Sequence, residues 1–464
     1  DYRRDGEAQN ITQLLIKNGA RYIVNISASP WTTGKNSTRD RRIKFLKKES
    51  GELFVPFLYV NCVGAQNNGK NIVTFDGGTT VYNADGEPVV LNGEHYEQDL
   101  VMVTEEKLLR PALVRTEKPK IAQKLEAIIK GIQHVKDMNG WAEQPKYVIG
   151  MSGGIDSAIV AAILTLAVGK DKVLGINMPT IYNSEKTKKA AEEVAEKLGI
   201  AYEVIPIGEL VDVNCDLLNL SDLDGSGKKL SSLNEENVQA KIRGTSVLSN
   251  IAAKYGALFT NNGNKVEVFF GYATLYGDVN GAIAPLGDLT KAEIFELSRY
   301  LNKEVFHKEV IPETLIPDEL FRFREDQIQP SAELKEKQVD PMKFGYHCAM
   351  IEKAMDYKKT SPEQFMRWYI DGTLHTNLNI SYELMQRWGV DNPQEFVADL
   401  ENFAQALQRS TFKRVQSPPI IITSKTSFGY DLRESILPWE PSLEYERLKQ
   451  KIGEMERYQP RGEN

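Results

Sequence analysis

A chain of 464 residues has room for two or three domains, each with its own core, and its 41% hydrophobic content is that of an ordinary globular protein. The net charge of −7 argues against a nucleic-acid surface, and the chain contains no run of eighteen apolar residues and no opening signal peptide, which points to the cytoplasm rather than a membrane. Three widely spaced cysteines, Cys62, Cys215 and Cys348, exclude a disulfide framework and fit a reducing compartment, and no CxxC or clustered His pattern suggests zinc.

The first hundred residues read as mixed α/β. Residues 7–18 read as a helix closed by Gly19, Arg21–Ile26 as a strand, and Lys35–Glu49 as a basic helix. Phe54–Val63 is a long apolar run of strand character that holds Cys62, read as a buried structural cysteine. Ile72–Phe75 and Thr79–Tyr82 flank Asp76-Gly77-Gly78 as a hairpin, Asn83-Ala84-Asp85-Gly86 makes the next turn, and Leu100–Thr104 is a last strand. Leu113–Lys120 is a charged, proline-punctuated linker. The apolar spacing from Ile121 onward is helical, so a boundary falls there, giving domains 1–114 and 115–464.

The stretch with the most chemistry is Lys146–Val168. A short apolar strand, Tyr147-Val148-Ile149, runs into Gly150-Met151-Ser152-Gly153-Gly154-Ile155-Asp156-Ser157 and then into an apolar helix closed by Gly169. Adjacent glycines let several backbone N–H groups converge with no side chain in the way, and the helix adds its positive end, so the turn is an anion cradle. Asp156 would repel phosphate unless a cation lay between them, which makes it a candidate Mg²⁺ ligand. The loop lacks the lysine of a Walker A motif. Strands at Lys172–Met178 and Tyr202–Ile205 alternate with helices at Glu185–Leu198 and Gly208–Leu218. That alternation implies a parallel sheet with ligands at the strands' carboxyl ends. Ser221–Leu233 reads as a mobile loop beside the site, and Asn234 opens a helix carrying Asn237, Gln239, Lys241 and Arg243.

The SGGIDS loop resembles the pyrophosphatase loop of ATP pyrophosphatases, which cleave ATP to AMP and pyrophosphate. The runs ENVQAKIRG, NNGNKVEVFFGYATLYGDVNG, PLGDLTK, PSAEL (Pro330–Leu334) and the tail FKRVQSPPIIITSKTSFGYDLRES extend the likeness over residues 117–440. The runs NGARYIVNISASPW, FVPFLYVNCVGAQNN and FDGGTTVYNADGE resemble the C-terminal half of a nitrilase-like amidase. Together they are similar to the glutamine-dependent NAD synthetase family. The resemblance implies an α/β protein: half of a nitrilase-like αββα sandwich, then a doubly wound parallel sheet of the adenine-nucleotide α-hydrolase kind. It implies ATP-dependent amidation of deamido-NAD through an adenylate, with ammonia supplied from glutamine by a Glu-Lys-Cys triad. No member of that triad is assignable here, so the chain is expected to begin after the nucleophile and to use ammonium alone, the upstream glutaminase portion being made separately, cleaved off or simply not part of this sequence. If it exists as a separate chain, adding it should restore glutamine use.

By the same resemblance, Gly150, Met151, Ser152, Gly153, Gly154, Ile155, Asp156, Ser157, Asn262, Lys291 and Ser331 would bind ATP. Asn237, Lys241, Tyr272, Leu275 and Lys413 would bind deamido-NAD, and Asp156 and Glu267 would hold Mg²⁺. Asn262 stands where the family has threonine, Lys241 where ammonia-dependent relatives have arginine, Leu275 where they have lysine and Ala282 where they have aspartate. The last two departures fit the glutamine-dependent branch. A homo-oligomer without nucleic-acid or membrane partners is expected. The alternatives are another ATP-pyrophosphatase amidotransferase, a tRNA-modifying enzyme, or an amidase-like scaffold without catalysis.

Overall fold

A computed structural model describes residues 2–4, 7–91, 96–138, 146–331, 334–335, 338, 340–430 and 438–461. Ala332 and Glu333 of the PSAEL run, and the tail from residue 431 to 437, lie outside the described residues. The chain divides into two compact units, residues 1–134 and 135–464. The division falls within the helix Lys120–Met138, later than the linker at which the residue pattern changes, because Ala127 of that helix packs with Trp31 and Tyr96.

In the first unit a four-stranded sheet runs in the order Ile23–Ser27, Phe57–Asn61, Thr80–Tyr82, Pro88–Leu91. The first pair is parallel and the others antiparallel. One side of this sheet builds a core from Ile23, Phe57, Tyr59 and Tyr82 with Ile16 and Ile43. Each such side chain removed from water contributes about 2 kcal/mol.

Several sequence expectations are corrected in this unit. The first helix begins at Ile11, because the Asn10 side chain accepts from the Gln13 N–H and caps it; residues Glu7–Gln9 form instead a strand paired with Tyr2–Arg4. The hairpin at Asp76-Gly77-Gly78 is not formed. Asn71–Asp76 pairs with Val63–Asn68 across the turn at Gly69, whereas Thr80–Tyr82 joins Phe57–Asn61. Gly77 and Gly78 both have positive φ (71° and 61°), and this reversal carries the chain from one sheet to the other. The run Phe54–Val63 breaks at Cys62, where the chain changes sheets, and Cys62 is exposed rather than buried. Residues 100–104 form no strand and leave Leu100 and Met102 exposed. The Asn83–Gly86 turn forms as expected, with the Gly86 N–H donating to the Asn83 carbonyl at 3.0 Å.

The second unit is built on a parallel sheet ordered Ala201–Val204, Val173–Asn177, Tyr147–Gly150, Leu258–Phe259. The chain moves outward from Tyr147–Gly150 through two neighbours and then returns to its other side. The carboxyl ends of Tyr147–Gly150 and Leu258–Phe259 therefore flank the point where strand order reverses, the usual ligand crevice of open α/β sheets. Helix Ile155–Val168 is buried nearly all round, as its apolar composition requires. Helices Glu185–Leu198 and Gly208–Asn219 follow the expected alternation. The next helix starts at Ser232, not Asn234, because Ser231 and Asn234 form a capping box. It continues through a wide π turn at Ile242–Leu248 into Ser249–Lys254.

The C-terminal part is helical. Ser361 and Asn392 cap the helices Pro362–Ile370 and Pro393–Arg409, each with proline in the first turn, and Tyr369 stacks on Phe396 with ring centroids 4.1 Å apart. The segment from Ile420 onward returns to the sheet-bearing part, where the Ala284 N–H donates to the Pro419 carbonyl at 2.8 Å. No described helix is long and apolar enough to cross a membrane.

Candidate nucleotide-binding site

The loop after strand Tyr147–Gly150 is held by its own polar groups. The Met151 N–H donates to the Ile176 carbonyl at 2.8 Å, anchoring the strand end. Ser152 Oγ accepts from the Gly154 N–H at 3.2 Å, and Ser157 Oγ donates to the Gly154 carbonyl at 2.9 Å. Gly153 adopts φ +83°, and a Cβ there would lie 1.9 Å from the Thr187 carbonyl oxygen, so only glycine fits. No side chain caps Gly154 at the start of helix Ile155–Val168, which leaves the first-turn N–H groups directed at whatever occupies the crevice.

A cavity of about 470 Å³ opens over this loop. Gly150, Met151, Ser152, Gly154, Ile155, Asp156 and Ser157 line it, together with Asn262, Lys291 and Ser331 of the expected ATP set, Glu267, and Asn237, Tyr272 and Lys413 of the expected deamido-NAD set. Three expected residues do not. Gly153 packs behind the loop against Thr187, Lys241 is exposed, and Leu275 is half-buried in a bridge to Val279.

Arg243, rather than Lys241, brings its cation to the cavity, where its guanidinium donates to the Met178 carbonyl at 3.2 Å. The cavity side of the helix is Asn237, Ala240 and Gly244, and the wide turn at Ile242–Leu248 brings Arg243 to that edge. This departure from α spacing is invisible in the residue pattern.

The departure at Asn262 also has a structural role. Its amide donates to the Gly150 carbonyl at 2.9 Å and accepts from Thr260 Oγ1 at 3.1 Å, tying the end of strand Leu258–Phe259 to the start of the phosphate loop. Lys413 Nζ donates to the Gly271 and Ala273 carbonyls at 2.7 and 2.6 Å, and Thr274 Oγ1 donates to Asn237 Oδ1 at 2.7 Å.

The charges converge on one ammonium. Lys291 Nζ is buried, pairs with Asp156 Oδ2 and lies 3.6 Å from Glu267 Oε1. The two carboxylates expected to hold Mg²⁺ thus share a lysine, which is a cation placed where they require one. Glu267 is aimed by the capping box of its own helix, since its other oxygen accepts from the Asn264 N–H at 3.1 Å. Burial pushes the Glu267 carboxyl well above the usual range; Lys291 opposes this, and Asp156 and Asp340 add to it. Against the cost of its own burial, Asp156 and then Glu267 hold Lys291 charged.

Asp340, another cavity residue, also titrates high, because of burial first and of Asp156. Sequence reading missed it, as no motif or spacing links it to the others. Three carboxylates facing one ammonium leave an excess of hard, anionic oxygen, which suits a divalent cation whose remaining ligands are phosphate oxygens. Among the described residues no group of three or more His, Cys, Asp or Glu is arranged to hold a metal without such help.

A phosphate cradle at the switch point of a parallel sheet, facing acidic and basic side chains in one cavity, defines a nucleotide-binding α/β protein. Residues 125–381 match the NAD synthase family, and the chain belongs to that family. It is 33% identical to the glutamine-dependent NAD(+) synthetase of Synechocystis sp., covering 91% of this chain and 67% of that one. It is 30% identical to the enzyme of the same name from Thermotoga maritima, covering 91% and 71%. Among solved structures, the glutamine-dependent NAD(+) synthetase of Cytophaga hutchinsonii superposes with a TM-score of 0.66 at 16% identity, over 94% of this chain and 71% of that one. The enzyme from Acinetobacter baumannii, solved with ADP, does so with 0.59 at 24% identity, over 89% and 68%. At these identities the structural likeness speaks for the fold.

Proposed function

We propose that the cavity catalyses the ATP-dependent amidation of deamido-NAD to NAD through an adenylated intermediate, releasing AMP and pyrophosphate, with ammonia drawn from glutamine. The observation that carries this reading is the uncapped phosphate loop facing Asp156, Glu267 and Lys291 in a single cavity that also reaches Asn237, Tyr272 and Lys413. It joins membership of the NAD synthase family to a site with the required chemistry.

In this reading the first-turn N–H groups of Ile155 to Ser157, with Ser331, receive the ATP phosphates. The substrate carboxylate attacks the α-phosphorus, and pyrophosphate leaves. Lys291 balances the charge that builds on the phosphates, exchanging its carboxylate partners for phosphate oxygens as the nucleotide enters. Ammonia then attacks the carbonyl carbon of the adenylate, and AMP leaves. Mg²⁺, when bound at Asp156 and Glu267, would supply Lewis-acid stabilisation to phosphate oxygens. Asn237, Tyr272 and Lys413 orient the second nucleotide, with Arg243 as a further cation at its edge.

The first unit is read as the C-terminal half of a nitrilase-like glutaminase fold, on the strength of its mixed sheet and the motifs it carries. The enzyme is expected to act as a cytoplasmic homo-oligomer. The test is product analysis. Purified protein with deamido-NAD, ammonium and MgATP should release AMP and pyrophosphate in equal amounts with NAD. ADP and orthophosphate as products would overturn the reading.

A further inference from the structure

Behind the cavity wall lies a second charge cluster that the chemistry above does not use. Lys265 is fully buried, and its ammonium has four partners: Glu352 Oε1 at 2.8 Å, Thr426 Oγ1 at 2.9 Å, Asp288 Oδ1 at 3.2 Å and Ser424 Oγ at 3.3 Å. Asp288 is buried too. One of its oxygens accepts from the Thr423 and Ser424 N–H groups, each at 2.7 Å, and from Thr423 Oγ1 at 3.0 Å; the other accepts from Ser424 Oγ at 2.9 Å. The Lys265 N–H donates to the Leu289 carbonyl at 3.0 Å.

These bonds join segments that lie far apart in the chain. Lys265 opens the helix Lys265–Phe270, which carries Glu267 in its first turn. Asp288 lies just ahead of the helix Lys291–Tyr300, which opens with Lys291. Residues 423–426 come from the C-terminal part of the chain, and Glu352 from the helix Tyr346–Ala354. Burying several charges together gives little net stability, since an apolar core of the same volume does as well or better. In some proteins such a cluster instead specifies how the elements it joins are arranged.

We infer that Lys265 is a positioning residue for the synthetase site: its ammonium, shared by Asp288, Glu352, Ser424 and Thr426, sets the spacing of Glu267 from Lys291 on the cavity side. The 423–426 segment is therefore part of the device that sets active-site geometry, although it contributes no residue to the cavity lining. This inference rests on the proposed reading of the cavity.

The experiment compares wild type with Lys265→Met, Lys265→Arg and the double variant Ser424→Ala/Thr426→Val. A control variant, Ile452→Ala, removes a buried side chain from the helix Leu443–Gly453. Melting temperature, kcat and KM for deamido-NAD, and the Mg²⁺ concentration giving half-maximal rate are measured for each. The double variant keeps every formal charge and should remain folded even if Lys265→Met does not, which its melting curve checks. It should lose roughly tenfold or more in kcat and need more Mg²⁺, with KM for deamido-NAD little changed, because small misplacements of reacting groups are costly. Lys265→Arg should recover part of the loss seen in Lys265→Met. The control should lose melting temperature without losing kcat. A double variant whose kcat and Mg²⁺ requirement match wild type, or whose kcat falls no further than that of a control with equal loss of melting temperature, would overturn the inference. Wild-type product analysis separately decides the reading of the cavity.

Discussion

Two residues show how tightly the phosphate loop is specified. Gly153 combines a left-handed backbone with a carbonyl 1.9 Å from any added Cβ, so Gly153→Ala must displace either the loop or the Thr187 backbone. That variant should lose at least about 1 kcal/mol of stability from the backbone conformation alone. It should also lose most MgATP-induced thermal stabilisation; a shift equal to that of wild type would show that the loop does not form the cradle. Asp156 instead acts by charge. Asp156→Asn removes one of the carboxylates facing Lys291 while keeping the shape, and should lower turnover roughly a hundredfold with the fold intact. Wild-type turnover at saturating Mg²⁺ would remove Asp156 from the site.

At the scale of elements, the helical part has its own electrostatic clamp. His347 Nδ1 accepts from the Lys343 N–H at 3.0 Å, so the proton sits on Nε2, which donates to Asp399 at 3.2 Å; the Lys343 ammonium lies 2.6 Å from the same carboxylate. Although burial opposes it, the His347 hydrogen bond and the nearby Lys343 ammonium hold Asp399 below the usual carboxylate range. A carboxyl that titrates lower folded than unfolded stabilises the fold above its unfolded pKa of about 4, and that contribution is lost as pH falls through the folded value. Asp399→Asn should thus cost about 2 kcal/mol at pH 7, and the difference from wild type should shrink steadily below about pH 4. Melting curves across that range check it, and a difference independent of pH would assign the effect to packing. The loop before Ser232 belongs to the same scale. Leu223 is fully exposed, and only Leu233, already within the helix, reaches the cavity. Limited proteolysis should cut within 221–230, and deamido-NAD with ATP should slow that cleavage only if the loop closes over the site.

For the whole molecule, every cavity-lining side chain belongs to the unit from residue 135 onward. Hydrogen exchange with and without MgATP should therefore show protection concentrated at 150–157, 262–267 and around 291, with strands 23–27 and 57–61 unchanged. Protection confined to those strands would place the nucleotide elsewhere.

The sequence alone determined the phosphate loop, the alternating strands and helices around it, and the family, because these rest on local rules. Adjacent glycines, an apolar strand and an apolar helix have few ways to be arranged, and the motifs around Glu267 and Lys291 keep order and spacing. Strand pairing in the first unit was not legible. Whether Thr80–Tyr82 pairs with Asn71–Asp76 or with Phe57–Asn61 depends on which edge is free, and both choices satisfy the same alternation. Tertiary structure also decided that Lys291 lies between Asp156 and Glu267, that Asp340 joins them, that Arg243 displaces Lys241 from the cavity, and that Lys265 is buried among four partners. Those facts follow from the meeting of segments far apart in the chain. The physical reason is that Coulomb interactions and burial depend on distance in space, which residue order does not carry.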